Sequence, residues 1–323
     1  MEVQELLKAS QSRELTREEE VFLLNMKNCS EVFYDLLKAA DSMSRKEFQG
    51  KAYIFSQIGL NASPCPMNCK FCSMAASNYV LGAEFKKTMA DIEELKETAL
   101  RLVEEGTHDL FLMTTADYPV EEYLSIGKEI RKVLPDCVRL VANIGDFEED
   151  TAQKLKCAGF TGVYHIRRLG EGKDTDIAPE RRIRTLDVIK ESGLELYYCV
   201  EPIGPEHTYE EIADEMIRAR EYGVKAMACM RRTPVAGTPL AEKGVITSVE
   251  LIKIGAVSRL VTKPTRSTNI HEVTPMSLLG GINQLYAEVG ANPRDKVEDT
   301  ATSRGYGVKQ VAELFRDAEY ELA

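Results

Sequence analysis

Three cysteines, Cys65, Cys69 and Cys72, stand at the spacing C-x3-C-x2-C in the stretch Pro64-Cys65-Pro66-Met67-Asn68-Cys69-Lys70-Phe71-Cys72. Thiolates this close in sequence can converge on one soft-metal centre from a single loop. A structural zinc site closes its tetrahedron with four protein ligands, and here no fourth ligand stands nearby. The spacing suits an iron–sulfur cluster, and a cluster held by three cysteines leaves one iron open to a small molecule. A zinc knuckle, or three unconnected buried thiols, is the bland alternative.

The flanking chain says where such a loop sits. Ala52 to Leu60 is rich in β-branched and aromatic residues and reads as a strand feeding directly into the cysteines. After the loop, helical segments alternate with short apolar runs. Helix Ile92 to Glu105 leads to strand Asp109 to Thr114, helix Val120 to Val133 to strand Val138 to Asn143, and helix Glu148 to Ala158 to strand Gly162 to Ile166. Helix Pro179 to Ser192 leads to Leu194 to Val200, helix Tyr209 to Tyr222 to Lys225 to Met230, and helix Val249 to Val261 to Thr265 to Glu272. Gly106, Gly159, Gly193 and Gly223 stand where helix C-caps are wanted. Nearly continuous apolar strands separated by amphipathic helices mean a parallel sheet buried on both faces.

The expected fold is therefore α/β, a partial or complete (β/α) barrel of TIM type. No G-x-G-x-x-G or G-x4-G-K-[ST] phosphate loop is present. Residues 1 to 48 read as a helical extension, with helices Arg17 to Met26 and Glu31 to Ala40 and Thr16 as a start signal. Residues 49 to 323 read as the barrel domain, ending in helices Met276 to Gly290 and Val308 to Glu321 around a loop at Ala291-Asn292-Pro293-Arg294-Asp295.

Charge and cysteine usage narrow the setting. A net charge of −11 argues against a nucleic-acid backbone as partner, because phosphate binding draws on clustered Lys and Arg. No apolar run approaches the ~20 residues needed to cross a bilayer. The acidic start, Met1-Glu2-Val3-Gln4-Glu5, is unlike a signal peptide. A cytoplasmic chain is expected, whose eight cysteines are reduced or bound to metal rather than paired.

The cysteine stretch resembles the signature of the radical S-adenosylmethionine (radical SAM) enzymes. That resemblance implies that Cys65, Cys69 and Cys72 hold a [4Fe–4S] cluster whose open iron binds SAM, and that Phe71 lies near the adenine. The implied chemistry is reductive cleavage of SAM to methionine and a 5′-deoxyadenosyl radical, with electrons from a ferredoxin or flavodoxin-type donor. The radical then takes a hydrogen atom from a substrate. Further along, Pro234-Val235-Ala236-Gly237-Thr238-Pro239-Leu240, Thr265 to Glu272 and Gly280-Gly281-Ile282-Asn283 resemble segments of the biotin synthase clade, which includes the [FeFe]-hydrogenase maturase and methylornithine synthase.

In βα barrels the chemistry collects at the C-terminal ends of the strands, which is where the cysteine loop falls. At the other strand ends the candidates are Thr114 and Thr115, Asn143, His165 with Arg167 on the same face, and Gly204. The family's Gly-Gly-Glu-like stretch, which holds the SAM amino group, is replaced by Thr114-Thr115-Ala116-Asp117, so carbonyls or threonine hydroxyls must serve. By resemblance Thr114, Thr115, Asn143, His165 and Gly204 line the SAM side, Gly204 being the firmest point of an adenine-proximal segment. Arg167, Arg231, His271 and Glu272 are the expected catalytic set, and with Arg168, Arg232 and Glu201 they would line the mouth and suit a small polar, anionic substrate.

Biotin synthase holds a second cluster with cysteines on three strands and one arginine. Here Cys199 and Arg266 fall at matching places and Cys229 could add a thiolate, while Leu112 and Val141 stand where cysteines are required. A second cluster is not expected. The reading is a biotin-synthase-like radical SAM enzyme that rearranges or builds a small molecule in cofactor or unusual-amino-acid biosynthesis. The rivals are a divergent biotin synthase inserting sulfur and a non-catalytic metal-binding module.

Overall fold

Alternation along the strands sorts side chains between two environments. Phe55, Phe111, Val141, Tyr197, Ala226 and Tyr286 form one buried cluster enclosed by the strands, while the larger cluster lies between strands and surrounding helices. The computed structural model describes residues 2–81, 91–287 and 306–323. Eight parallel strands form the barrel: β1 (Lys51–Gly59), β2 (Asp109–Met113), β3 (Arg139–Asn143), β4 (Gly162–Tyr164), β5 (Glu195–Ile203), β6 (Ala226–Arg231), β7 (Ser267–Ile270) and β8 (Gln284–Tyr286). They pair in sequence order, and β1 bonds both β2 and β8. The barrel is complete.

Helices α4 (Ile92–Glu104), α5 (Val120–Val133), α6 (Glu149–Cys157), α7 (Pro179–Ser192), α8 (Tyr209–Glu221) and α9 (Ser248–Thr262) connect successive strands. Their starts follow the local chemistry. Thr208 and Glu211 make a reciprocal capping box at α8, and the Asp91 side chain takes the first free N–H groups of α4. Helix α9 is buried nearly all round because α1 (Val3–Ala9), α2 (Arg17–Leu24) and α3 (Glu31–Glu47) precede the barrel, and α2 and α3 pack on it from outside. Its two buried cations find partners there: Lys253 Nζ reaches the Met26 carbonyl at 3.0 Å and Arg259 Nε reaches Ser44 Oγ at 2.8 Å, while Arg259 Nη1 has no partner among the described residues.

The tail of the chain corrects the expected helices. Met276 to Gly290 is not a helix: a 3-10 turn over Pro275–Gly280 is followed by β8, and residues 288 to 290 lie outside the described residues. Gly281 makes the break, with φ +84° and an approach in which a Cβ would stand 2.6 Å from the Ala40 carbonyl oxygen. The final helix, α10 (Val308–Asp317), is shorter than expected, and β9 (Glu321–Leu322) pairs with the start of β1. The loop expected at Ala291 to Asp295 lies outside the described residues. No helix among the described residues is long and apolar enough to cross a membrane.

Below the aromatic layer the N-terminal end of the barrel is sealed by a polar knot. Asp109 accepts from Arg266 at 2.6 and 3.2 Å and from Gln284 Nε2 at 2.6 Å, and the Arg266 guanidinium stacks 3.9 Å above the Tyr53 ring. Arg266 thus closes the floor of the barrel, its guanidinium committed to Asp109.

Candidate active site

Above the aromatic layer, at the C-terminal ends of the strands, lies a cavity of about 630 Å³. The cysteine loop leaves β1 and forms one wall, with Cys65, Cys69, Phe71 and Cys72 all lining it. All three thiols are half-buried. The loop is folded by its own backbone: Cys65 N–H donates to Met74 O at 2.7 Å, Cys72 N–H to Cys69 O at 2.9 Å, and Asn68 turns the chain with φ +48°. Burial pushes the Cys69 thiol up to about 12, the nearby Arg168 guanidinium opposes the shift, and Cys72 and Cys65 add to it. A thiol so shifted is a poor nucleophile until a bound cation draws off its proton.

Among the described residues no three His, Cys, Asp or Glu side chains are grouped to hold a single metal ion. A zinc site would need its thiolates about 2.3 Å from one ion. A cuboidal cluster asks less, since each cysteine binds a different iron.

The rest of the lining is largely polar. Thr114, Thr115, Asn143, His165, Arg231, His271 and Glu272 all line the cavity, as do Arg168, Arg232 and Glu201. Arg231 makes a two-point pair with Glu272 at 2.7 and 2.9 Å, Arg232 pairs with Glu206 and donates to Gly244 O at 2.8 Å, and Arg168 Nε lies 3.4 Å from Glu201. Four buried polar atoms of this lining have no hydrogen-bond partner among the described residues: Thr114 Oγ1, His165 Nε2, Arg168 Nε and Arg232 Nε. Buried polar groups are ordinarily satisfied, and on a cavity lining such atoms are available to a polar ligand.

His165 is buried, with Nε2 3.3 Å from Asp146 Oδ1 and off the line of a good hydrogen bond. Burial dominates and holds its pKa down at about 4, so the ring is neutral. Burial works against the Asp146 carboxylate, yet His165 and Arg182 outweigh it and hold its pKa at about 2. Asp146 also takes the Arg182 guanidinium at 3.0 Å.

Four placements depart from expectation. Arg167 does not line the cavity; it pairs with Glu215 on α8, because β4 stops at Tyr164 and alternation does not continue past it. Arg168 takes the place expected of it. Gly204 also lies off the cavity, packed against Arg232 so closely that a Cβ would collide with its guanidinium. The Thr115 hydroxyl is committed to Asn61, accepting at 2.8 Å. Cys229 faces α9 beside Ser258, whereas Cys199 lies inward next to Tyr164, so the barrel interior offers one thiol where two were expected. Gln57, Tyr164 and Tyr286 line the cavity without having been singled out. The first two follow from counting every second residue up the strands, and Tyr286 was hidden because β8 reads as helix.

A closed βα barrel whose C-terminal end brings three thiols of one loop and several guanidiniums to one cavity defines the class, a barrel with a polar, thiol-lined pocket at the strand ends. No family model matches the chain. It is similar to biotin synthase of Clostridioides difficile (24% identical, 98% of this chain and 97% of the relative) and to biotin synthase of Acetivibrio thermocellus (27%, 79% of each). Its fold is similar to the solved structures of methylornithine synthase PylB (TM-score 0.80, 17% identical, 98% of this chain and 96% of that one) and of the FeFe-hydrogenase maturase HydG from Carboxydothermus hydrogenoformans (0.81, 16%, 99% and 79%). These similarities support an enzyme of the radical SAM, biotin synthase-like type. That type of enzyme implies a [4Fe–4S] cluster and SAM, and the donor set fits them: three thiols of one loop and several unsatisfied polar atoms line the same cavity.

Proposed function

We propose that the chain cleaves SAM reductively and abstracts hydrogen from a small polar, anionic molecule, which it rearranges or builds upon. Cys65, Cys69 and Cys72 would hold the cluster. When bound, cluster and SAM supply a 5′-deoxyadenosyl radical, given one electron from a ferredoxin or flavodoxin-type donor. The chain's own contribution is to bind and orient. Phe71, Thr114, Asn143 and the neutral His165 face the space beside the cysteines, and Arg168 offers a cation with a free Nε–H. Arg231, His271 and Glu272 stand across the cavity, where charge-assisted bonds can fix a substrate.

The observation that carries the reading is one cavity lined both by the three thiols of the loop and by guanidinium N–H groups that lack a partner among the described residues. Anaerobic reconstitution should give about four irons per chain and dithionite-dependent formation of methionine and 5′-deoxyadenosine. Cys69→Ala should abolish both, and retained cleavage would sink the assignment.

The names of the sequence relatives favour a second reading, a divergent biotin synthase. Sulfur insertion would need a cluster inside the barrel, and one inward thiol, Cys199, is a poor holder for it. Transfer of labelled sulfur to dethiobiotin would establish that reading, and its absence the first.

A further inference from the structure

Three of the five residues between the cysteines, Met67, Asn68 and Lys70, are held by one segment. In the turn that follows β4, Asp176 N–H donates to Met67 O at 2.8 Å and the Asp176 carboxylate accepts from Asn68 Nδ2 at 2.8 Å. Met67 and Asn68 lie in the interval between Cys65 and Cys69. The same turn takes Lys70, in the interval between Cys69 and Cys72: Lys70 N–H donates to Asp174 O at 2.9 Å, and Lys70 Nζ reaches Lys173 O at 2.7 Å and the Asp174 carboxylate at 3.1 Å.

The turn is wound around one side chain. Glu171 is inaccessible to solvent at its carboxylate, which accepts from Thr175 Oγ1 at 2.6 Å, from Arg168 N–H at 3.0 Å and from Arg182 Nε on α7 at 3.3 Å. It therefore ties the start of the turn, its far end and the helix behind it to one point. Gly170 permits the winding, with φ +74° and a Cβ position only 2.7 Å from Asp174 Oδ2. Glu171 lies outside the cavity lining.

We propose that Glu171 is a positioning residue for the metal centre: by winding the 170–176 turn it grips both intervals of the cysteine motif and so fixes the spacing of the three thiolates. The inference rests on the cluster reading above. Groups that orient metal ligands from behind typically contribute 10- to 100-fold to metal retention. A loosened turn would let the thiolates splay, and iron would leave faster from an otherwise folded barrel.

The test uses the reconstituted holoenzyme and two readouts that a purely structural role would not move. Iron release to a ferrous chelator should be about 10-fold or more faster in Glu171→Ala, and the electron paramagnetic resonance signal of its reduced, SAM-bound cluster should broaden or shift at equal iron content. Glu171→Gln, which keeps an acceptor for Thr175, should recover most of the retention. Should Glu171→Ala fail to fold, Asn68→Ala and Lys70→Ala decide the matter, since both cut the grip at accessible side chains and each should speed release about 3-fold or more. Wild-type release rates and spectra in the folded variants would overturn the proposal. A wild-type chain that takes up no iron would instead overturn the cluster reading.

Discussion

Arg266 and Arg168 are both largely buried guanidiniums at barrel strand ends, and their surroundings differ. On the floor, Arg266 spends two N–H groups on Asp109, which is itself capped by Gln284, and its face stacks on Tyr53. At the mouth, Arg168 has its counter-charge, Glu201, only at 3.4 Å, and its Nε–H has no acceptor. Completed pairing of the first kind belongs to stability, since breaking a buried pair leaves an uncompensated charge. Incomplete pairing of the second kind leaves desolvated donors waiting for a ligand, which is how binding sites store interaction energy.

Substitution at each end should separate the two. Arg168→Gln should lower SAM cleavage by about 100-fold or more, while the melting temperature of the metal-free chain moves by no more than about 4 °C; the reverse pattern would make Arg168 structural. Asp109→Ala should cost about 3–5 kcal/mol in urea unfolding, with SAM cleavage per intact cluster retained. A cost below about 1 kcal/mol would mean that the floor is no better paired than the mouth.

The smallest expected effect is a pH slope. His165 has a folded pKa of about 4, below the ordinary histidine value, so the unfolded chain binds the proton more readily. Its contribution is fully present above about pH 6.5 and is lost as pH falls toward 4, a change of order 1–3 kcal/mol. His165→Gln should flatten that part of the stability profile of the metal-free chain. An unchanged slope would show that His165 is not held neutral.

Much of this contrast was legible in the chain. The C-x3-C-x2-C motif declared itself because ligand spacing is a local property, and the βα order because helix and strand periods differ. The details that failed are those where local pattern and tertiary position part. Alternation put Arg167 in the mouth, but β4 stops at Tyr164 and the next residues follow a turn. Arg266 precedes β7, so it lies at the floor, though its composition looks like that of the mouth arginines. The run before residue 287 has helical spacing, and only pairing with β1 and β7 makes a strand of it. Glu171 gave no signal, because a carboxylate between two glycines looks like any solvated turn until its three partners are known.

The central claim is that the loop of Cys65, Cys69 and Cys72 forms a redox centre for SAM cleavage. The direct measurement is dithionite-dependent formation of 5′-deoxyadenosine by the anaerobically reconstituted wild type beside Cys69→Ala. The account predicts about four irons per chain with cleavage in the first, and neither in the second. A wild-type chain that binds zinc instead, stays colourless and leaves SAM intact would contradict it.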